Sequence, residues 1–245
     1  MKNIKVTRLN ASHEDPENFL NNLVRITFSK KLSAKDDIYD ELVTRQNDNL
    51  SMLTNIIEMN HQSILEHVNV TYAITGASRS FLAQITRHRH FSFLSASQHY
   101  IDYSDMADFV IPIEIERQGP EMVKKYLESC KKSVEEYKSL IEDGVDHSVA
   151  RQVLPNGMKN QLVVTGNLRQ WLNFLNLRLC GRNTSEIEYV AYLIKQDLNN
   201  YVPTIAKYMV PDCISRGYCT QGNKTCGHKY SDKHEAEKFK ILNKE

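Results

Sequence analysis

Apolar residues recur every three or four positions in several stretches of this 245-residue chain, which is the spacing of amphipathic helices. Polar residues fill the positions between them, so each helix has one face for a core and one for water. The spacing predicts helices over residues 17–31, 49–59, 121–141, 168–179 and 186–201. Ser78 is a suitable N-cap for one more helix, which runs toward Arg87.

Shorter runs of β-branched and alternating apolar residues predict strands over residues 68–74 and 161–166. A third extended segment is predicted over residues 109–115, although Pro112 interrupts it. The residues from Ser92 onward are expected to form a loop. Together these elements indicate an α+β domain in which helices outweigh a small sheet.

The charged residues almost cancel, with 31 Lys and Arg against 30 Asp and Glu and a net charge of +1. Such a chain has no global field that would recruit nucleic acid or an anionic membrane. The sequence contains no apolar run long enough for a membrane span and no signal-peptide pattern. We therefore expect a soluble, cytoplasmic protein without nucleic-acid or membrane partners, in which any anion is bound at a local concave site.

The five cysteines are distributed unevenly, and Cys213, Cys219 and Cys226 lie close together before His228. An odd count without a secretion signal indicates reduced thiols rather than a disulfide framework. The spacing differs from the paired Cys-x2-Cys of common zinc modules, so free thiols are expected and no metal is predicted. A metal-stabilised interaction protein that uses these cysteines is the open alternative.

The most informative segment is Arg87-His88-Arg89, which follows an apolar run and precedes Ser97. Burying two guanidinium groups is costly unless an anion meets them. Guanidinium groups also form paired hydrogen bonds with planar, multi-oxygen acceptors. A nucleotide phosphate or an electron-rich heterocycle is therefore the predicted ligand, and a solvated basic face is the alternative.

Neutral polar residues follow this triplet and supply further donors and acceptors, namely Ser92, Ser95, Ser97 and Gln98. A nucleophilic Ser97 is a second hypothesis. No Asp or Glu precedes Ser97 closely in the sequence, so contact with a phosphate or a base is preferred.

Three further segments carry polar groups where a plain core needs none. Residues 61–67 hold two His and a Glu, but their spacing differs from the zinc-hydrolase pair, which favours hydrogen bonding to a ligand over metal binding. Arg151 precedes a proline turn, and residues 167–169 lie where a strand passes into a helix, a place that attracts anions. Asn173 and Arg178 follow on that helix. Four polar segments, three of which contain arginines, suggest convergence on an anion.

The order and spacing of these segments resemble the flavin-dependent thymidylate synthases. That family's signature is Arg-His-Arg, then seven residues, then Ser, and it occurs here from Arg87 to Ser97. Supporting matches lie in residues 61–67, 150–156, 163–167 and 173–178. The resemblance implies a catalytic domain over residues 1–212, in which helices surround a small, mostly antiparallel sheet. A cysteine-containing tail over residues 213–245 follows, with a surface helix or a frayed end beyond Ser231.

The resemblance implies reductive methylation of dUMP to dTMP. Methylenetetrahydrofolate supplies the carbon, and FAD carries a hydride that comes from NADPH. It also implies a homotetramer whose active sites are shared between subunits. Arg178 is the implied catalytic residue, at the uracil edge, where a fixed cation stabilises developing charge by about 3 kcal/mol.

The resemblance assigns residues to two sites. The implied dUMP site comprises Gln84, Arg87, Ser95, Ala96, Ser97, Gln98, His99, Arg151 and Arg178. The implied FAD site comprises His61, Ser63, Glu66, Arg87, His88, Arg89 and Ser95, joined from a neighbouring subunit by Asn167, Arg169 and Asn173.

Two positions depart from the family. It usually has Glu or Gln where Ser95 stands and Arg where His99 stands, and histidine is only partly charged near neutral pH. Arg182, at a position where the family has a histidine, restores part of that charge. These departures leave two alternatives open. One is a family member that binds a pyrimidine nucleotide and flavin with altered or no methyl transfer. The other is a non-catalytic nucleotide-binding or nucleic-acid-binding module on the same scaffold.

Overall fold

A four-stranded antiparallel sheet organises the fold. The computed structural model describes residues 1–30, 38–104, 108–228, 230–231 and 238–239. The strands lie in the order β1-β2-β4-β3, and every neighbouring pair is antiparallel. Their bounds are β1 Lys5–Ala11, β2 Asn69–Ser78, β3 Ser92–Ser95 and β4 Lys159–Asn167. The predicted α+β class with a small antiparallel sheet is confirmed.

The helices alternate with these strands along the chain. They are α1 Pro16–Val24, α2 Ser51–Glu58, α3 Arg79–Ile85, α4 Ile113–Glu116, α5 Pro120–Glu142, α6 His147–Ala150, α7 Leu168–Arg178, α8 Ser185–Tyr201, α9 Pro203–Ala206 and α10 Asp212–Ser215. Short 3-10 helices cover Arg25–Thr27, Gln62–His67, Arg151–Val153 and Gly222–Lys224, and Asp40–Thr44 forms a π-helical turn. No helix in these described stretches has both the length and the apolar character that crossing a bilayer requires.

The core lies against one face of the two central strands. Val70, Tyr72 and Ile74 alternate on β2 and are fully buried, as the period-two pattern predicts. Trp171 of α7 packs edge-on against Tyr72, and its ring nitrogen donates to the carbonyls of Val70 and Gly166 at 3.2 and 3.1 Å. Because this indole N–H is satisfied by two strand carbonyls, the start of α7 is fixed to the sheet.

Helix α7 begins where the sequence indicates, because strand β4 ends in a capping box. The Asn167 side chain accepts from the Gln170 N–H at 3.0 Å, and the Gln170 side chain accepts from the Asn167 N–H at 2.8 Å. A reciprocal pair of this kind satisfies two N–H groups that a helix start leaves free. The residues predicted to bind anions at this junction are therefore held in a defined geometry.

Two predicted elements differ from the structure. The first predicted helix extends to residue 31, but α1 ends at Val24 and continues only as a 3-10 turn to Thr27, while residue 31 lies outside the described residues. The extended segment predicted over residues 109–115 is wrong in its second half, which forms α4. Pro112 lacks an N–H for a strand ladder but fits immediately before a helix.

Both edge strands were missed by the sequence pattern. Strand β1 was not predicted, and Ser92–Ser95 was expected to be a loop but pairs with β4, with Ser92 opposite Thr165 and Ser95 opposite Leu162. These two strands expose most of their side chains. Ladder hydrogen bonds therefore hold these strands in the sheet. Because few of their side chains are buried, their sequences show little apolar alternation.

Part of the C-terminal segment packs into the core. Phe239 is fully buried, with its ring centroid 4.9 Å from that of Tyr189 and 5.7 Å from that of Tyr192 on α8. Lys238 forms an ion pair of 2.5 Å with Glu188, a carboxylate that is 1% exposed. Phe239 therefore differs from the surface position that is expected for residues beyond Ser231. Of those residues, the structure describes Lys238 and Phe239. The division at residue 212 stays a prediction.

Gly166 allows a close approach that a larger residue would block. A Cβ built at this position would lie 2.2 Å from the Phe91 ring and 2.8 Å from the side-chain oxygen of Gln170. Phe91 is buried and packs on Trp171 with ring centroids 4.4 Å apart. The glycine therefore sets how closely the segment before β3 can lie against β4.

We predict that Gly166→Ala lowers the free energy of unfolding by about 1–3 kcal/mol, because the new methyl group overpacks the Phe91 contact. Chemical denaturation measures the change. Gly181→Ala is the matched control, since its Cβ would meet its nearest neighbour at an ordinary 3.6 Å. An unaltered stability of Gly166→Ala would show that Phe91 can move away at no cost.

Candidate functional site

The turn after α3 presents the Arg-His-Arg triplet. Ile85 on one side and Phe91 on the other are buried, which anchors both ends of the turn. Between them Arg87 and Arg89 are exposed, while His88 is half-buried. The apolar anchors thus leave the two guanidinium groups at the surface and direct the imidazole inward.

Arg178, at the end of α7, contacts this turn directly. Its Nε donates to Nε2 of His88 at 2.9 Å, and one Nη donates to the side-chain oxygen of Asn183 at 3.0 Å. The other Nη lies 3.5 Å from the main-chain oxygen of Gln84, at the limit of a hydrogen bond. The structure therefore brings Arg178 to Gln84 and His88, which lie 94 and 90 positions earlier in the sequence.

His88 is held in its neutral form. Burial and, second, the charge of Arg178 lower the pKa of His88 to about 4. Since the guanidinium can only donate, Nε2 of His88 accepts, and the proton of the neutral ring resides on Nδ1. The ring also packs edge-on against Phe174, with centroids 5.0 Å apart. Burial and, second, the charge of Arg87 lower the pKa of Arg178 itself.

Two residues of this cluster were not singled out from the sequence. The amide of Asn183 donates to the carbonyls of Leu177 and Cys180, both at 2.8 Å, and so closes the end of α7. Thr184 donates to the side-chain oxygen of Gln84 at 3.1 Å. Their sequence signal is weak, because an Asn-Thr pair between two helices is also typical of ordinary capping.

A second surface gathers most of the residues assigned to FAD. His61 caps the 3-10 helix before β2, and Ser63 and Glu66 lie on it. All three are exposed, and Glu66 forms an ion pair with Arg169 of α7. Asn167 caps α7, and Asn173 is exposed one turn beyond Arg169.

This surface is continuous with the triplet turn, because the Gln170 amide donates to the His90 carbonyl at 2.7 Å. Glu66 and Arg169, which the resemblance assigned to different subunits, are paired within one chain. Two residues of the predicted FAD site therefore lie side by side within one subunit.

The end of β3 and the loop after it carry most of the remaining residues assigned to the nucleotide. Ser95 and His99 are exposed, whereas Gln98 is 9% exposed. The Ala96 N–H donates to the Gln161 carbonyl at 3.0 Å and extends the pairing of β3 with β4. The hydroxyl oxygen of Ser97 accepts from the His99 N–H at 3.1 Å, so this side chain shapes the loop. That bond explains Ser97 without a nucleophilic role.

Two arginines flank this loop. Arg151 begins the 3-10 turn after α6, and Arg79 begins α3. One Nη of Arg79 donates to the Ala96 carbonyl at 3.4 Å. Arg79 was not predicted from the sequence. The loop and these arginines lie near the start of α3, whereas the Arg178 cluster surrounds its end.

The C-terminal cysteines are joined by one from the body of the domain. Cys180, Cys213 and Cys226 line one cavity with His228, and Cys219 lines a neighbouring cavity with Cys180 and Cys213. Burial, followed by the neighbouring Cys180, Cys219 and Cys226, raises the pKa of Cys213. Within the described stretches, no three His, Cys, Asp or Glu side chains are arranged so that they could hold a metal ion. Sequence spacing could not reveal the participation of Cys180.

Known proteins resemble this chain over most of its length. The family described as "Thymidylate synthase complementing protein" matches residues 8–204. A flavin-dependent thymidylate synthase of Thermococcus kodakarensis is 36% identical over 209 residues, covering 82% of this chain and 85% of the relative. Another from Geobacter sulfurreducens is 33% identical over 183 residues, covering 74% and 77% respectively.

A solved structure shares the fold. A UMP/dUMP methylase, PolB from Streptomyces cacaoi bound with 5-Br dUMP, superposes with a TM-score of 0.67 at 20% identity, covering 84% of this chain and 94% of that one. The family match contains both the triplet turn and the Arg178 cluster. The chain therefore belongs to the flavin-dependent thymidylate synthase family.

Proposed function

We propose that this protein catalyses the reductive methylation of dUMP to dTMP. Methylenetetrahydrofolate donates the carbon, and NADPH is the reductant of a bound FAD. The observation that carries the proposal is the contact of Arg178 with His88 and Gln84, because two separate segments of the family pattern meet in one network. The 5-Br dUMP bound by the structural relative supports a pyrimidine nucleotide as substrate.

The donor set on the triplet turn, the 3-10 helix before β2 and α7 fits FAD. The exposed guanidinium groups of Arg87, Arg89 and Arg169 suit a diphosphate, and the amide of Asn173 offers both donor and acceptor. His61, Ser63, Glu66, His88, Ser95 and Asn167 complete the proposed site. FAD, when bound, supplies hydride transfer. The protein contributes orientation and charge.

Arg178 is the proposed catalytic group. A guanidinium carries five N–H donors, and three of those of Arg178 point at His88, Asn183 and Gln84. The remaining two can hold the edge of a uracil ring as a fixed fork. Because protein contacts already fix this cation, it needs no reorganisation when negative charge develops on the ring.

The proposed dUMP site combines this cluster with the loop after β3. Gln84, Arg87 and Arg178 hold the base, while Ser95, Ala96, Ser97, Gln98, His99 and Arg151 hold the sugar and the phosphate. Exposed apolar side chains border these groups, among them Leu94 (73% exposed), Tyr100 (81%) and Leu177 (53%). Exposed apolar residues beside a polar site favour burial by another subunit, which supports the proposed homotetramer.

The first test is direct. Purified protein is expected to be yellow, to bleach with NADPH, and to form dTMP when dUMP and methylenetetrahydrofolate are added. Absorbance measures flavin binding and its reduction by NADPH, and product analysis measures the formation of dTMP. A colourless protein that cannot be reconstituted with FAD would rule out the proposal.

We predict that Arg178→Ala lowers dUMP-dependent flavin reoxidation at least about 100-fold, because the fixed cation at the base is lost. Bound FAD, measured by absorbance, is expected to remain. Arg216→Ala is the control, since Arg216 is exposed and pairs with Asp212 on α10. Unchanged reoxidation in Arg178→Ala would remove this residue from the mechanism.

The neutral state of His88 predicts a pH dependence of stability. The folded pKa is about 4 and the ordinary value is 6.5, so the unfolded chain binds more protons between these values. The contribution of His88 is therefore present above pH 6.5 and is lost as the pH falls toward 4.

Between pH 7 and pH 5, the wild-type protein is expected to lose about 1 kcal/mol more stability than His88→Gln, allowing for partial exposure of the ring. Denaturation of both proteins across this range measures the difference. Parallel curves would mean that His88 does not titrate differently on folding.

A second candidate function is the methylation of UMP, because the structural relative is a methylase of both UMP and dUMP. Ser95 and His99, which depart from the family, lie on the edge strand and loop of the proposed nucleotide site. Turnover of UMP at a rate comparable to dUMP would favour this alternative. Nucleotide binding without any methyl transfer would favour a non-catalytic module.

A further inference from the structure

A cavity of about 400 Å³ beside Arg178 is lined by three cysteines that the proposed reaction does not use. Cys180 comes from the loop between α7 and α8, Cys213 from α10, and Cys219 from the segment that follows α10. All three are free thiols, and Asn183 lines the same cavity. Any chemistry of these thiols therefore takes place beside the proposed catalytic cation.

The chain reverses its direction between Cys213 and Cys219. Helix α10 closes with a bond from the Gly217 N–H to the Ile214 carbonyl at 3.3 Å. Gly217 then adopts a φ of +75°, the left-handed conformation that favours glycine at the end of a helix. Because the chain turns back at this glycine, Cys219 returns to the cavity that Cys213 lines.

The two half-buried thiols differ in reactivity. Hydrogen bonding to the main chain of Gln221 and, second, to the Thr225 hydroxyl lowers the pKa of Cys219. Burial is the first cause that raises the pKa of Cys213, and the nearby Cys219 adds to it, so the two groups lie within electrostatic reach of each other. Since the thiolate is the nucleophile, Cys219 reacts first with an electrophilic sulfur and Cys213 follows.

We propose that Cys213 and Cys219 form a dithiol that small disulfides oxidise, and that the resulting bond slows the reaction at Arg178. The inference rests on the proposed function, because it adds a modification site to the surroundings of a residue that the function uses. Its substrates are low-molecular-weight disulfides, which reach Cys219 through the cavity.

The chemistry is two successive thiol–disulfide exchanges. The Cys219 thiolate attacks one sulfur of the small disulfide, whose S–S bond breaks and releases a first thiolate. Cys213 gives its proton to water and attacks the sulfur of Cys219, which releases the second thiolate. The protein loses two electrons as its own S–S bond forms. The small disulfide gains them, and its two thiolates take up protons from water.

Asn183 links the cavity wall to the guanidinium. Its side-chain oxygen accepts from Arg178 at 3.0 Å, and its amide donates to the Cys180 carbonyl at 2.8 Å. A disulfide brings its two sulfur atoms to about 2 Å, which is closer than two separate thiols can approach. The new bond therefore changes the wall that Asn183 and Arg178 share with Cys213 and Cys219.

The test exposes the FAD-loaded protein to oxidised glutathione as the small disulfide. Wild type is compared with Cys213→Ser, Cys219→Ser and Cys130→Ala. Cys130→Ala is the matched control, because Cys130 is buried on α5 in a separate apolar cluster with Phe109 and Met158. Intact mass and peptide mapping measure the disulfide, and dUMP-dependent flavin reoxidation measures the reaction.

Wild type and Cys130→Ala are expected to form the Cys213–Cys219 disulfide and to reoxidise the flavin about 10-fold more slowly, because a displaced cation is less effective. Dithiothreitol is expected to restore the rate. Cys219→Ser is expected to keep its rate in oxidised glutathione. Cys213→Ser is expected to retain one glutathione on Cys219, since the second thiol that would release it is missing.

A disulfide between other cysteines would overturn the inference, and so would a loss of rate in Cys219→Ser equal to that of wild type. A Cys213–Cys219 disulfide that leaves the rate unchanged would overturn it as well. In these cases the reduced protein still forms dTMP, so the proposed function stands. Should the reduced wild-type protein form no dTMP, the proposed function and its regulation would fail together, even where the disulfide forms.

Discussion

The hydrogen bond between Arg178 and His88 ties the candidate site to the fold. Arg178 ends a helix whose start is fixed to the sheet by the capping box of Asn167 and by the indole of Trp171. His88 belongs to a turn whose ends are buried at Ile85 and Phe91. A contact of 2.9 Å between two such anchored elements requires both of them to be placed correctly. The surface assigned to flavin and the cluster assigned to uracil are thereby fixed relative to each other.

This arrangement explains why the imidazole is useful in its neutral form. A protonated ring could not accept from a guanidinium and would repel it, so the bond exists only while His88 is uncharged. Burial against Phe174 keeps the ring in that state. The packing of His88 against Phe174 therefore determines the orientation of the Arg178 guanidinium, which His88 accepts from.

The sequence predicted those elements in which burial of one face produces a regular spacing of apolar residues. The central strands and the long helices were predicted, because alternating or three-to-four spacing follows from one face being packed. The edge strands β1 and β3 escaped because hydrogen bonds to a neighbour stabilise them and most of their side chains face water. The family signature placed the triplet and Arg178, but Asn183, Thr184 and Arg79 were missed. Each lies at a helix boundary, where a polar residue has an ordinary capping or solvent role in most proteins.

The docking of Phe239 and Lys238 has a practical consequence for handling the protein. Removing this segment would strip the counter-ion from Glu188, which is 1% exposed, and would uncover the aromatic rings of Tyr189 and Tyr192. An orphaned carboxylate beside bare rings favours self-association in solution. Shortened versions are therefore expected to aggregate.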